Sequence, residues 1–258
     1  MLNILVLGGT DEARRLAAAL VGRPGTRVVS SLAGRVRDPK LPVGEVREGG
    51  FGGPDGLASW LVEHRVDVVV DATHPFAARM TASAAEASTR AGLPLLILRR
   101  PGWREGPGDD WRWVPSLAAA AELLPSLGER VFLTTGRRSL PVFAGLDGLW
   151  FLARSVDPPE PPMPRRVEVL LSRGPFTVEG ELALMREHRV EVLVTKDSGG
   201  GMTTAKLAAA RELGLPVVVV RRPAAPDGVP AVETVEAALS WLDSTTGPAA
   251  AGADDHAG

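Results

Sequence analysis

The sequence predicts an α/β protein made of two similar halves, each with a parallel sheet, facing a shared cleft. Three observations predict it. Apolar runs of strand length alternate with segments whose apolar residues recur at helical spacing. The strand candidates are rich enough in valine to be buried on both faces, as parallel strands are. The pattern of the first half also recurs, in order, in the second.

The chain opens with Ile4-Leu5-Val6-Leu7, broken by Gly8-Gly9-Thr10-Asp11-Glu12-Ala13, and continues with Ala13, Leu16, Ala17 and Leu20 at helical spacing. This reads as strand, tight turn, helix. Glycines let the backbone approach an anion, and the N–H groups and dipole of a helix N-terminus favour negative charge, so the turn suits a dinucleotide pyrophosphate. Gly8-Gly9-Thr10 departs from the G-x-G-x-x-G order, so a plain chain reversal stands beside that reading.

A second strand over residues 26–32 leads into Ala33-Gly34-Arg35-Val36-Arg37. At this point dinucleotide folds present an acid to the ribose 2′-hydroxyl or an arginine to a 2′-phosphate. The chain offers Ser30, Ser31 and Arg35 first, with Asp38 beyond, which favours NADP over NAD. A solvated pair, Arg35 and Arg37, is the alternative. Residues 44–48 predict a short strand before Gly49-Gly50-Phe51-Gly52-Gly53, a backbone suited to close approach or to a mobile surface loop. Asp55 is expected to cap a helix that turns Leu57, Trp60 and Leu61 inward. A strand over 66–70 then ends in Asp71-Ala72-Thr73-His74-Pro75-Phe76. A helix over 77–91 and a strand over 95–98 follow, closed by Arg99-Arg100-Pro101. Trp103, Trp111 and Trp113 lie in a Pro/Gly-rich connection and are expected to cover a sheet edge.

Glu63-His64-Arg65-Val66 recurs as Glu187-His188-Arg189-Val190, and Gly92-Leu93-Pro94 through Arg99-Arg100-Pro101 recurs as Gly214-Leu215-Pro216 through Arg221-Arg222-Pro223. Looser echoes keep the same order, with offsets that fall only from 127 residues (Ile4 to Val131) to 118 (Leu117 to Val235). A collinear series of this kind predicts two α/β domains, residues 1–127 and 128–246, followed by a disordered low-complexity tail over 247–258. Ligands of open α/β sheets lie beyond the carboxyl ends of the strands, so the loops there are the candidate site. Those of the second half carry Thr135-Gly136-Arg137-Arg138, Arg154, Arg165-Arg166, Arg173 and Lys196. So many cations suggest a polyanionic small ligand, with solvated loop arginines as the alternative. The loop Thr195-Lys196-Asp197-Ser198-Gly199-Gly200-Gly201 lacks the P-loop order. It reads as an anion nest or as a helix cap with a flexible entry.

Composition removes several classes of function. With 45% hydrophobic and 23% charged residues the chain is ordinary globular protein, and a net charge of −2 gives no bulk attraction to nucleic acid or membrane. It has no cysteine, which excludes disulfides, thiolate metal sites and cysteine nucleophiles. It has no tyrosine, which excludes the Ser-Tyr-Lys chemistry of short-chain dehydrogenases. The four histidines show no metal-ligand spacing, so no metal is expected. No leader or apolar run of spanning length is recognised, and a soluble cytoplasmic protein is expected. His74, at the end of a buried strand, either meets a ligand or pins its own loop.

Taken together, Leu7-Gly8-Gly9-Thr10-x-Glu12-Ala13, Ser31-x-Ala33-Gly34-Arg35, Gly49-Gly50-Phe51-Gly52, Asp71 through Ala77, Thr135-Gly136-Arg137 and Thr195 through Gly200 resemble the precorrin-6A reductase family of the corrin-ring pathway to vitamin B12. The resemblance spans nearly the whole chain, short of the tail. It implies two Rossmann-like domains and an NADPH-dependent reduction of one double bond in the precorrin-6A macrocycle, giving precorrin-6B, or the same step on the cobalt-containing ring. The cofactor residues it implies are Gly8, Gly9, Thr10, Glu12, Ala13, Ser31, Gly34, Arg35, Gly50, Phe51, Asp71, Ala72, Thr73, His74 and Pro75. An anionic tetrapyrrole is expected to meet Thr135, Gly136, Arg137, Arg138, Arg154, Arg173, Lys196, Asp197, Ser198 and Gly199. His74, Lys196 and Ser198 are the candidates for a proton-handling role, and no nucleophile is required. Contact with neighbouring pathway enzymes is expected to be transient. Another NADP-linked reductase or epimerase, or a non-catalytic corrinoid or nucleotide carrier, are the alternatives.

Overall fold

A computed structural model describes residues 1–33, 41–201 and 203–246. The elements run β1 (Leu2–Leu7), α1 (Asp11–Val21), β2 (Thr26–Leu32), β3 (Glu45–Glu48), α2 (Gly53–Glu63), β4 (Val68–Asp71), α3 (Ala78–Ala91), β5 (Leu95–Leu98), β6 (Trp111–Val114), α4 (Leu117–Leu123), β7 (Arg130–Leu133), β8 (Trp150–Ser155), β9 (Val167–Leu171), α5 (Val178–Glu187), β10 (Val192–Lys196), α6 (Ala205–Glu212), β11 (Val217–Val220), β12 (Ala231–Val232) and α7 (Val235–Thr246).

The strands form two six-stranded sheets, β3-β2-β1-β4-β5-β12 and β9-β8-β7-β10-β11-β6. Every pairing in both is parallel. Each sheet has the 3-2-1-4-5-6 strand order of a doubly wound nucleotide-binding fold. The sixth strand of each comes from the other half of the sequence. The first unit is therefore Met1–Pro101 with Pro223–Gly258, and the second is Gly102–Arg222. The boundary expected after residue 127 is corrected accordingly. Trp111–Val114 is a strand paired with β11, at the edge of the second sheet, and not a connection. The tail expected over 247–258 lies outside the described residues.

In the first unit, alternation along β1 sorts the core. Ile4 and Val6 pack with Leu16 and Leu20 of α1 and Ala238 and Leu242 of α7 on one face. Leu5 and Leu7 pack with Leu57 and Leu61 of α2 and Ala84 and Ala87 of α3 on the other. In the second unit, Phe132, Leu152 and Leu193 pack against Leu182 and Met185 of α5 and Leu207 and Ala210 of α6. Truncating any of the leucine, isoleucine, methionine or phenylalanine side chains among these to alanine costs about 2–5 kcal/mol.

The repeat extends to backbone conformation. Arg65 and Arg189, just past α2 and α5, are the only non-glycine residues with positive φ among those described, at 50° and 49°. Gly92 and Gly214 share a φ of 65°. Asp55 lies in the first turn of α2, whose N-cap is Gly52 at φ 83° with no side-chain cap bond; the expected aspartate cap is thus corrected.

Candidate functional site

In the first unit, the site is built on the turn after β1. Thr10 is the N-cap of α1: its Oγ1 accepts from Ala13 N at 3.1 Å and donates to Ala72 O at 2.8 Å. One hydroxyl thus ties the turn to the loop after β4. Gly9 has φ 112°, a conformation that L side chains rarely adopt, and nothing among the described residues stands within 4 Å of where its Cβ would lie. The Gly8 position is close against Leu32 and the Ser31 carbonyl, at 3.4 and 3.5 Å.

Asp11 and Glu12, in the first turn of α1, would repel an anion there, but each has an arginine partner. Arg14 Nη2 meets Asp11 at 3.0 Å, and Arg100 Nη1 meets Glu12 at 2.8 Å. The Ser30 hydroxyl, under the turn, is buried with no hydrogen-bond partner among the described residues, and Ser30 lines a small depression with Gly8, Gly9, Ala13, Arg14, Leu32 and Pro42. A glycine cradle, a helix N-terminus, neutralised acids and an orphaned hydroxyl fit a dinucleotide. Ser30, which the sequence offers beside Ser31 and Arg35 at the ribose end, lies outside the cofactor set that the resemblance implies. Its signal was its place on the strand bordering the turn.

Ser31 is buried, and its carbonyl accepts from Gly8 N at 2.9 Å. Gly34 and Arg35 lie outside the described residues. In the loop after β3, Arg47 donates to Gly49 O at 2.7 Å and Gly50 O at 2.9 Å, and its guanidinium sits 3.8 Å over the Phe51 ring. Burial lowers the Arg47 pKa. In the loop after β4, the buried Asp71 accepts from Thr73 N at 3.0 Å and Thr73 Oγ1 at 2.7 Å. His74 is exposed, and Phe76 N–H donates to its Nδ1 at 3.2 Å, so the histidine pins its own loop.

In the second unit, Lys196 at the end of β10 donates from Nζ to Thr135 O at 2.9 Å, which joins the two loops expected to meet the substrate. Burial lowers its pKa. Ser198 N–H donates to Lys196 O at 2.6 Å, and Gly199 and Gly200 follow at φ 65° and 73°. Gly136 has φ 85° and Arg138 is exposed, as is Arg173. Arg137 donates to Pro158 O at 3.4 Å.

Arg154 and Asp197 have other work. The Arg154 side chain is 7% exposed, pairs with Glu181, and sits 3.8 Å over Phe176. Asp197 is buried and held by Arg222 and Trp103. Lys206 of α6, 4% exposed, lies in the same interior as Arg154 and Glu181, with Nζ 4.9 Å from the Trp103 ring centre. Desolvation, then the Arg154 charge, bring its pKa down to about 7, against the pull of Glu181. The expected set also lacked Glu181 and Lys206. Their signal was helical spacing, since Glu181 shares a face with Met185 and Lys206 with Ala209 and Ala210.

Among the described residues no group of three or more histidines and acids is placed to hold a metal ion, and no helix is long and apolar enough to cross a membrane.

A family model described as precorrin-6x reductase CbiJ/CobK matches residues 3–243. The chain is 58% identical over 246 residues to a precorrin-6A reductase of Rhodococcus erythropolis, covering 95% of this chain and 99% of that protein. It is 31% identical over 233 residues to a cobalt-precorrin-6A reductase of Priestia megaterium, covering 85% and 90%. Among solved structures, CobK precorrin-6A reductase superposes with a TM-score of 0.88 at 43% identity, covering 95% of this chain and 97% of that one.

Proposed function

The chain belongs to the precorrin-6x reductase CbiJ/CobK family, and on that premise we propose that it reduces one double bond of the precorrin-6A macrocycle with NADPH, leaving a CH–CH bond and giving precorrin-6B, in cobalamin biosynthesis. The observation that carries this is the full-length match to precorrin-6A reductases. The lower identity to the cobalt-precorrin enzyme favours the metal-free ring as substrate.

A bound nicotinamide supplies the hydride. The protein binds, orients and balances charge around it. Gly8, Gly9, Thr10 and Ala13 hold the pyrophosphate against the start of α1. The end of β2 carries Ser31, Leu32 and Ala33 with no acid, which supports a 2′-phosphate there, and by family resemblance Arg35 receives it. Gly50 and Phe51, braced by Arg47, border the adenosine end. Asp71 fixes the loop that carries Ala72, Thr73, His74 and Pro75 on the nicotinamide side.

The macrocycle presents carboxylates, and Arg137, Arg138 and Arg173 answer them with Thr135, Gly136, Ser198 and Gly199. Arg154 is left out, because its guanidinium is enclosed with Glu181. Asp197 is left out as a direct contact, because a carboxylate would repel an anionic ring. Reduction also needs a proton. Lys196 suits that role better than His74 or Ser198, since burial makes its ammonium a readier donor.

The test is an NADPH-oxidation assay with precorrin-6A and its cobalt form in parallel. NADPH consumption with a shift in the precorrin-6A spectrum is the expected result. NADPH binding with no change in that spectrum would point to another NADP-linked reductase, and ligand binding with no oxidation to a carrier.

A further inference from the structure

The repeated Arg-Arg-Pro motif is not used by that reading. Its copies, Arg99-Arg100-Pro101 and Arg221-Arg222-Pro223, stand where the chain passes out of each unit, at Pro101 and at Arg222. In both, the second arginine reaches an acid in the ligand turn of its own unit.

Arg100 Nη1 donates to Glu12 Oε2 at 2.8 Å, with the side chains 17% and 19% exposed. Arg222 makes a denser contact with Asp197. Its Nε donates to Oδ2 at 3.0 Å and its Nη2 to Oδ1 at 3.3 Å, and the two nitrogens reach the Asp197 carbonyl at 3.2 and 3.0 Å. Asp197 Oδ1 also accepts from Trp103 N–H at 2.9 Å, and Trp103 Nε1 donates to Gly200 O at 3.0 Å. One carboxylate therefore ties both ends of the second unit to the turn after β10. A Cβ at Gly102 would stand 2.6 Å from Oδ2, so the backbone there is fitted to the carboxylate.

The two acids are not counterparts in the repeat. Glu12 follows β1, whereas Asp197 follows β10, the counterpart of β4. Duplication alone would have copied an arginine facing the same turn twice; instead the same arginine reaches different turns, each a ligand turn. Each acid would repel an anion if left bare, and a charge-assisted bond to arginine removes that repulsion while fixing the backbone.

We infer that Arg100 and Arg222 are positioning residues for the reaction, each holding the ligand turn of its own unit through an acid: Glu12 in the cofactor turn and Asp197 in the substrate turn. Which ligand each turn takes rests on the function proposed above.

The test compares Arg100→Gln and Arg222→Gln in the full chain. It reads amide hydrogen exchange over residues 8–14 and 196–201, NADPH affinity by fluorescence titration, and KM for precorrin-6A. Arg222→Gln should speed exchange over 196–201 alone and raise the precorrin-6A KM about ten- to a hundredfold, leaving NADPH affinity as in the parent. Arg100→Gln should speed exchange over 8–14 alone and weaken NADPH by a similar factor. Arg100→Lys and Arg222→Lys keep the charge without the fork and should show smaller changes of the same pattern, which covers a failure of either glutamine variant to fold. Unchanged exchange in the paired turn, or equal loosening of both turns in both variants, would overturn the inference. Local exchange effects with the two ligand effects interchanged would uphold the positioning role and overturn the ligand assignment instead.

Discussion

Arg154 and Glu181 form an ion pair with 7% and 2% of their side chains exposed, and the second carboxylate oxygen of Glu181 has no hydrogen-bond partner among the described residues. A pair so enclosed gains Coulomb energy at a heavy desolvation cost, and removing one member leaves the other charge buried alone. Glu181→Ala should therefore lower the unfolding free energy by about 3–5 kcal/mol, while Arg154→Met with Glu181→Leu should cost far less. Urea denaturation of the three proteins measures this. Equal losses in single and double variants would contradict it.

Lys206 beside that pair makes stability depend on pH. Its folded pKa is about 7, below the ordinary lysine value of 10.5. Between those values the unfolded chain binds a proton that the folded chain does not, so this residue makes stability rise with pH across that window and level off beyond it. Below about pH 7 both states carry the proton and the full cost of burying it stands. Lys206→Met should stabilise the protein by about 1–3 kcal/mol at neutral pH and flatten the rise. Melting curves recorded from pH 6 to pH 10.5 test this; parallel stability profiles for parent and variant would rule it out.

Gly9 and Thr10 support the turn proposed to hold the cofactor by different means. Gly9→Ala meets no atom of the described residues within 4 Å, so its cost comes from φ 112°, about 1–3 kcal/mol. Thr10→Val removes both the N-cap bond and the bond to Ala72 O, for about 1–2 kcal/mol. Both should weaken NADPH in a fluorescence titration. Gly22→Ala, at φ −80° and with equal space, should leave thermal stability nearly unchanged; a loss there as large as that at Gly9 would show that backbone conformation is not the cause.

Arg35→Ala tests the 2′-phosphate assignment. The ratio of kcat/KM for NADPH over NADH should fall about tenfold or more, since a charge-assisted contact to phosphate is lost. An unchanged ratio would remove Arg35 from the cofactor site.

Much of the fold was legible because its signals are local. Strand, glycine turn and helix over the first 21 residues follow from apolar spacing and from Gly8-Gly9-Thr10, and β2 and β5 lie where expected, at Thr26–Leu32 and Leu95–Leu98. The repeated motifs even fix the same backbone at Arg65 and Arg189. The resemblance carried by the loop residues identified the family that the comparisons show.

Tertiary structure alone decided the rest. Ala231–Val232 completes the first sheet and Trp111–Val114 the second, against the order of the repeat. Such short edge strands carry no pattern that names a partner, because a parallel pairing is chosen by which sheet edge the whole chain brings within reach. The fate of the cations was settled in the same way. Arg154, Arg173 and Arg222 are alike as loop arginines in the sequence, yet Arg154 is enclosed with Glu181, Arg173 is exposed, and Arg222 is bound to Asp197. Periodicity and spacing report a residue's neighbours along the chain; these ion pairs join residues 25, 27 and, for Arg100 and Glu12, 88 positions apart that only folding brings together.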